Sequence, residues 1–233
     1  MKNKAMKSER IKLNLGCGSV RPRGWINTDS SLNANIQKLP FIGRKISKLF
    51  NPIEYADSNV RYMNLNKEWP FKNDSVDIVY ASHLFEHLTL KSAALFVAEA
   101  YRCLKPGGVI RIVVPDLYQV AKKYIQEYDS ASESYDPTTF IMWAINMHRE
   151  GQYGNVSLLK KILLEWQGYP HQHKFMYDSK SLRLRFSIFV EPLLLSYGIS
   201  NYIPEIADVE GTKESYLSVY LEAKKSGVAT EHI

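Results

Sequence analysis

The chain has 233 residues, 45% hydrophobic and 23% charged, with 30 Lys and Arg against 24 Asp and Glu, for a formal net charge of +6. This balance suits a globular chain with a sizeable core and excludes disordered and collagen-like classes. Only Cys17 and Cys103 are present, which excludes a disulfide framework and favours a reducing, cytoplasmic setting.

Residues 1–10 are basic, lack the apolar run of a secretory leader, and read as a disordered tail before one main domain over 11–233. No run is long and apolar enough to read as a membrane span. Residues 11–15 form a first apolar strand, and Gly16-Cys17-Gly18 turns the chain after it. Glycines there let backbone N–H groups approach a ligand that a Cβ would obstruct. The next strand ends at Asp29, a carboxylate suited to ribose hydroxyls, so the stretch reads as an adenosyl-ligand site. A dinucleotide fits poorly. Arg21 stands where the fingerprint needs a third small residue, and Asp29 follows Gly16 by 13 positions, against roughly 20 in the dinucleotide fold. Pro22 and Gly24 leave little room for a helix whose N-terminus would hold a pyrophosphate.

Residues 32–59 read as an inserted, lid-like segment whose stretch 41–50 separates apolar from basic residues; packing on the domain is favoured over contact with a membrane surface. Strands are predicted at 60–65, 76–82 and 109–114, with a helix at 90–104 and a turn at Lys105-Pro106-Gly107-Gly108. Residues 129–170, rich in aromatics and Met, read as a helical cap over the ligand face. A helix at 179–190 and strands at 198–206 and 216–223 complete the chain. Repeated βα order implies an α/β fold with a mostly parallel sheet, helices on both faces, and ligands at the carboxyl ends of the strands. Basic residues are scattered without an RNA-binding signature, so the net charge reads as a solvated surface.

Leu13-Asn14-Leu15-Gly16-Cys17-Gly18, Gly24-Trp25-Ile26-Asn27-Thr28-Asp29 and Pro70-Phe71 with Ser75-Val76-Asp77 together resemble the class I S-adenosylmethionine-dependent methyltransferases, in the small methyltransferase type 11-like branch. The resemblance runs from about 11 to 114 and resumes at 173–178 and 216–223. It implies a Rossmann-like, doubly wound, seven-stranded sheet with an antiparallel C-terminal strand, and S-adenosyl-L-methionine as cofactor. Gly16, Cys17 and Gly18 then lie beneath the cofactor's methionine part, Asp29 binds its ribose, Asn64 and Leu65 recognise adenine, and Ser82 and His83 border the methionine. Asn14 and Asn64 stand where relatives commonly carry an acid; an amide oxygen still accepts a hydrogen bond from the adenine amino group.

Displacement at a sulfonium methyl asks the protein to align an acceptor and, for a hydroxyl or protonated amine, to remove a proton. His87 and His173 are the candidate bases, the latter opening a His-x-x-x-Tyr element that ends at Tyr177. His83, Glu86 and His87 stand at helical i, i+3 and i+4 positions. The favoured role for Glu86 and His87 is ordering the cofactor loop, and no metal is expected. A divalent ion held by His83, Glu86 and His87 with His171 or His173 is the alternative, similar to the metal-dependent small-RNA 2′-O-methyltransferases. The expected acceptor is a small molecule or glycan methylated at oxygen. An RNA methyltransferase and a non-catalytic adenosyl-binding partner protein are the competing readings.

Overall fold

The computed structural model describes residues 10–30, 60–130, 136–146, 172–210 and 217–227. The tail at 1–9, the inserted segment at 32–59, most of the expected cap and His171 lie outside the described residues. Seven strands are described: β1 Lys12–Leu15, β2 Ile26–Asp29, β3 Arg61–Tyr62, β4 Val76–Ser82, β5 Leu104–Pro115, β6 Val190–Leu195 and β7 Ser218–Lys224. They form one sheet in the order β3-β2-β1-β4-β5-β7-β6. Strands β1 to β5 pair in parallel, and β7 runs antiparallel to both β5 and β6. This is the expected Rossmann-like architecture. Its order reverses between β1 and β4, which puts the ligand crevice at the carboxyl ends of those two strands.

Alternation along the buried strands builds two cores. Leu13, Leu15, Val79, Ala81, Ile110 and Ile112 face one way, against α1 (Leu90–Cys103) and α4 (Ser179–Arg185). Ile78, Tyr80, Val109 and Val113 face the other, against Trp25 and α5 (Ile206–Glu210). Helix α1 begins where the Thr89 hydroxyl accepts the Ser92 N–H at 3.1 Å, a side-chain cap that satisfies one of the first turn's orphan donors. It buries Ala93, Phe96, Val97, Ala100 and Cys103, a helical-period stripe. Helix α2 (Leu117–Ser130) follows β5, and α3 (Pro137–Ala144) packs on it, with Lys123 Nζ 4.6 Å from the Phe140 ring centre. Trp143 of α3 is exposed.

Three expected elements differ. The third strand shrinks to Arg61–Tyr62 because Asn64 closes a turn, its side-chain oxygen accepting the Asn66 N–H at 2.9 Å. Residues 198–206 are not a strand. The Ser200 hydroxyl accepts the N–H groups of Tyr202 and Ile203 at 3.1 and 2.8 Å, bending the chain toward α5. The edge strand is instead Val190–Leu195, where Pro192 and a register shift are tolerated because one side is unpaired. Helix α4 stops at Arg185, short of the expected 190, and the following turn lets Phe186 and Phe189 reach the core.

Candidate active site

Beyond β1 the chain turns through Gly16 and Gly18, whose φ angles of 62° and 49° lie in the left-handed region that side chains with a Cβ resist. A Cβ on Gly16 would come within 2.8 Å of Leu84 Cδ1, so this turn sits directly against the segment after β4. A Cβ on Gly18 would meet nothing within 4 Å, which leaves that position open to a ligand. The Cys17 N–H donates to the Thr28 carbonyl at 2.9 Å, and the Gly18 N–H faces Asp29 Oδ2 at 3.4 Å. The turn therefore holds Asp29 beside itself at the end of β2. Burial pushes the Cys17 thiol up to about 11, with the Asp29 carboxylate adding to the effect and Arg21 opposing it.

No helix joins β1 to β2. Asn14 does the fastening instead. Buried in the sheet, it donates from Nδ2 to the Val20 carbonyl at 2.8 Å and to Asn27 Oδ1 at 2.9 Å. The amide is used as a double donor, a role an acid could not fill. Without a helix N-terminus after β1, a pyrophosphate has no seat. An adenosyl group bound through ribose and a glycine turn fits.

A cleft of about 240 Å³ opens at the switch point. Gly16, Cys17, Gly18, Ser82 and His83 line it, together with Asn14 and with Tyr80, Val209 and Glu210 on the other side. The structure thus brings five of the predicted cofactor residues to one cavity, with Asp29 adjoining through Gly18. Asn64 and Leu65 do not line it; the Leu65 side chain is in the main core. Tyr80, Val209 and Glu210 were missed by sequence reading. A signal existed in Arg111, a charge inside the apolar run of β5 that demands a buried partner. Arg111 Nε donates to Glu210 Oε1 at 2.9 Å, and the Glu210 Oε2 accepts the Gly198 N–H at 2.6 Å, which fixes α5 against the cleft.

The histidines gather next to this cleft. His83 leaves β4 with φ 49°, and a 3₁₀ turn follows at Phe85–His87. The helical face expected for His83, Glu86 and His87 is therefore replaced by a tighter turn that splits them: His83 points outward and Glu86 is fully buried. Phe85 sets that orientation, its ring lying 5.4, 5.1 and 5.2 Å from those of Phe96, Tyr177 and Phe186. The Glu86 carbonyl accepts the N–H groups of Lys174 and Phe175 at 2.8 and 3.2 Å, which brings the 172–177 loop onto the turn. His173 Nε2 then lies 3.9 Å from Glu86 Oε1, and His83 Nδ1 lies 3.4 Å from the same oxygen. The rings of His87 and His173 meet edge to face at 4.9 Å. His87 Nδ1 lies 3.1 Å from the Gln172 carbonyl, which only a protonated Nδ1 can satisfy, so Nε2 is left as the free nitrogen.

Among the described residues, neither carboxylate oxygen of Glu86 has a hydrogen-bond partner, and the same holds for His173 Nδ1 and the Tyr177 hydroxyl. Burial lowers the His173 pKa against the opposing pull of Glu86, which favours the neutral imidazole. Burial likewise pushes the Tyr177 phenol up to about 12. Burial thus favours the form of His173 that can take a proton, and His173 stands one contact away from the cleft through Glu86 and His83.

A family model described as "Methyltransferase domain" matches residues 13–112, which span β1 through most of β5. No curated protein matches the chain. Among solved structures, a possible histamine N-methyltransferase described as S-adenosylmethionine-dependent, from Thermotoga maritima, is 16% identical, with 96% of this chain and 85% of that chain covered at a TM-score of 0.48. An S-adenosylmethionine-dependent methyltransferase from Archaeoglobus fulgidus is 16% identical over 94% of this chain and 87% of that one, with a TM-score of 0.46. The CurJ carbon methyltransferase is 11% identical over 95% of this chain and has a TM-score of 0.44; the present chain spans half of its length.

Proposed function

We propose that the chain, whose residues 13–112 match a methyltransferase-domain model, is an S-adenosylmethionine-dependent methyltransferase that methylates an oxygen of a hydroxyl-bearing small molecule or glycan. The observation that carries this reading is the meeting of His87 and His173 over buried Glu86, directly after the strand that contributes Ser82 and His83 to the cleft. An acceptor hydroxyl must lose its proton as it becomes an ether. Neutral imidazole beside the cleft supplies the group that takes it.

When bound, the cofactor supplies a sulfonium methyl, and as the acceptor oxygen forms its bond to that carbon the carbon–sulfur electron pair returns to sulfur, leaving S-adenosylhomocysteine. In this reading Gly16, Cys17 and Gly18 give the backbone groups that approach the methionine part, and Asp29 accepts from the ribose hydroxyls. Ser82 and His83 close the methionine end. Asn64 and Leu65 take the adenine, Asn64 through its side-chain amide and Leu65 through its backbone. His173, with His87 beside it, receives the acceptor's proton.

The test is a methyl-transfer screen with labelled cofactor over nucleotide sugars, glycans, phenols, amines and RNA. An O-methylated sugar or phenol is the expected product, and His173→Ala should abolish turnover while leaving cofactor binding intact. Transfer to amines or RNA alone, or full turnover by His173→Ala, would overturn the reading.

A further inference from the structure

Glu86 presents an unusual account of charge. Its side chain is fully buried, and among the described residues both oxygens lack a hydrogen-bond partner and the ion-pair neighbours within 4 Å are the imidazoles of His83 and His173. At 3.9 Å the His173 contact is too long for a hydrogen bond. A carboxylate removed from water without compensation costs several kcal/mol or more, so buried carboxylates are normally paired, hydrogen-bonded or bound to metal. Imidazole nitrogens and a carboxylate oxygen are the donor atoms that a divalent transition-metal ion takes, so the cluster has the composition of a metal site.

We propose that Glu86, His87 and His173 form a binding site for a divalent transition-metal ion, with zinc the ion their chemistry suits. One donor atom from each of the three lies within 4.8 Å of the others. Ligands placed about 2.0–2.2 Å from a tetrahedral ion stand roughly 3.4 Å apart, so modest side-chain rotations close the set. Two imidazoles and one carboxylate leave a fourth position open, the composition typical of catalytic rather than structural zinc sites. The surroundings match as well. The His87 Nδ1–H donates to the Gln172 carbonyl at 3.1 Å, the outer hydrogen bond that fixes the tautomer of a metal-bound imidazole and turns its Nε2 inward. Phe85 and Tyr177 form a rigid apolar backing for the site. His83, 43% exposed and 3.4 Å from Glu86, stands between this cluster and the cleft that it lines.

Binding of the ion is independent of the acceptor's identity. Its part in turnover rests on the oxygen-acceptor reading above: an ion at the open position would draw electron density from an acceptor hydroxyl and make its proton easier to lose. With the ion bound, His87 and His173 would be its ligands instead of the proton acceptors of the metal-free reading, and the proton would pass to His83, which lines the cleft.

The full chain, stripped with a chelator and shown folded by circular dichroism, is titrated with zinc chloride and separately with cobalt(II). One zinc per chain is expected, with a cobalt absorption spectrum characteristic of tetrahedral nitrogen and oxygen ligands. Glu86→Gln and His173→Gln, chosen to preserve shape, should each lose stoichiometric zinc and still bind S-adenosylhomocysteine. A folded parent protein that takes up no zinc overturns the site, as does unchanged zinc stoichiometry in both variants. Zinc uptake without O-methyl transfer would support the site and count against the acceptor reading. Chelator-insensitive O-methyl transfer by zinc-free protein would support the acceptor reading and overturn the ion's part in turnover.

Discussion

Asn14→Asp exchanges a nitrogen for an oxygen and should still be among the most damaging single changes in the cofactor region. The wild-type amide donates twice, to the Val20 carbonyl at 2.8 Å and to Asn27 Oδ1 at 2.9 Å, from a position only 2% exposed. A carboxylate there donates nothing and faces two acceptor oxygens. Two lost hydrogen bonds account for about 2 kcal/mol, and the uncompensated buried charge raises the total to roughly 3–5 kcal/mol. The pH dependence has a definite sign. Burial beside two acceptors raises the introduced carboxyl's folded pKa above its unfolded value of about 3.9, so folding favours the protonated form. Stability is closest to wild type below that value and is lost as pH rises from it through the folded pKa. Urea denaturation of both proteins at neutral pH and near pH 4 measures the difference, and titration with S-adenosylhomocysteine tests whether the 16–25 turn still binds. Wild-type stability at neutral pH, or a gap that widens on acidification, would refute this account of Asn14.

Gly16→Ala puts a Cβ at φ 62° and 2.8 Å from Leu84 Cδ1; Leu84 can yield, but the backbone conformation still costs about 1–2 kcal/mol, and cofactor affinity should fall with the shift of the turn. Arg111→Met strands Glu210, whose side chain is 3% exposed and pairs with Arg111 at 2.8 Å. A loss of about 3–5 kcal/mol is expected, largely recovered by adding Glu210→Leu, and a denaturation double-mutant cycle reads both. Burial pushes both Cys17 and Cys103 up to about 11, so at pH 8 about a thousandth of each is thiolate and a thiol reagent should label them only after urea unfolding. Prompt labelling of the native protein would refute that burial. The same shift adds stability that is fully present below the unfolded thiol pKa of about 8.5 and is lost as pH rises toward 11.

Strand β4 was legible because the apolar run 78–81, between Asp77 and Ser82, is what a strand buried on both faces requires. The glycine turn was legible because left-handed backbone selects glycine. What sequence could not supply was long-range pairing. The stretch 198–206 is apolar enough for a strand, but Ser200 captures local N–H groups and Glu222, from β7, accepts the Asn201 N–H at 3.0 Å. The meeting of Arg111 with Glu210 depends on α5 folding back across β5, 99 positions later. Glu86, His87 and His173 were each singled out from sequence, yet the burial of Glu86 was not. It follows from Phe85 packing among Phe96, Tyr177 and Phe186, residues supplied by α1, the 172–177 loop and the turn after α4. Helical spacing of 83, 86 and 87 pointed to one shared face, and the 3₁₀ turn with its left-handed His83 divided them.

The most direct measurement is calorimetric titration of the full chain with S-adenosylmethionine and S-adenosylhomocysteine, alongside Asp29→Ala. The account predicts one saturable site in the parent protein, much weakened in the variant, which removes the carboxylate held 3.4 Å from the Gly18 N–H. A folded parent protein that binds neither ligand would contradict it.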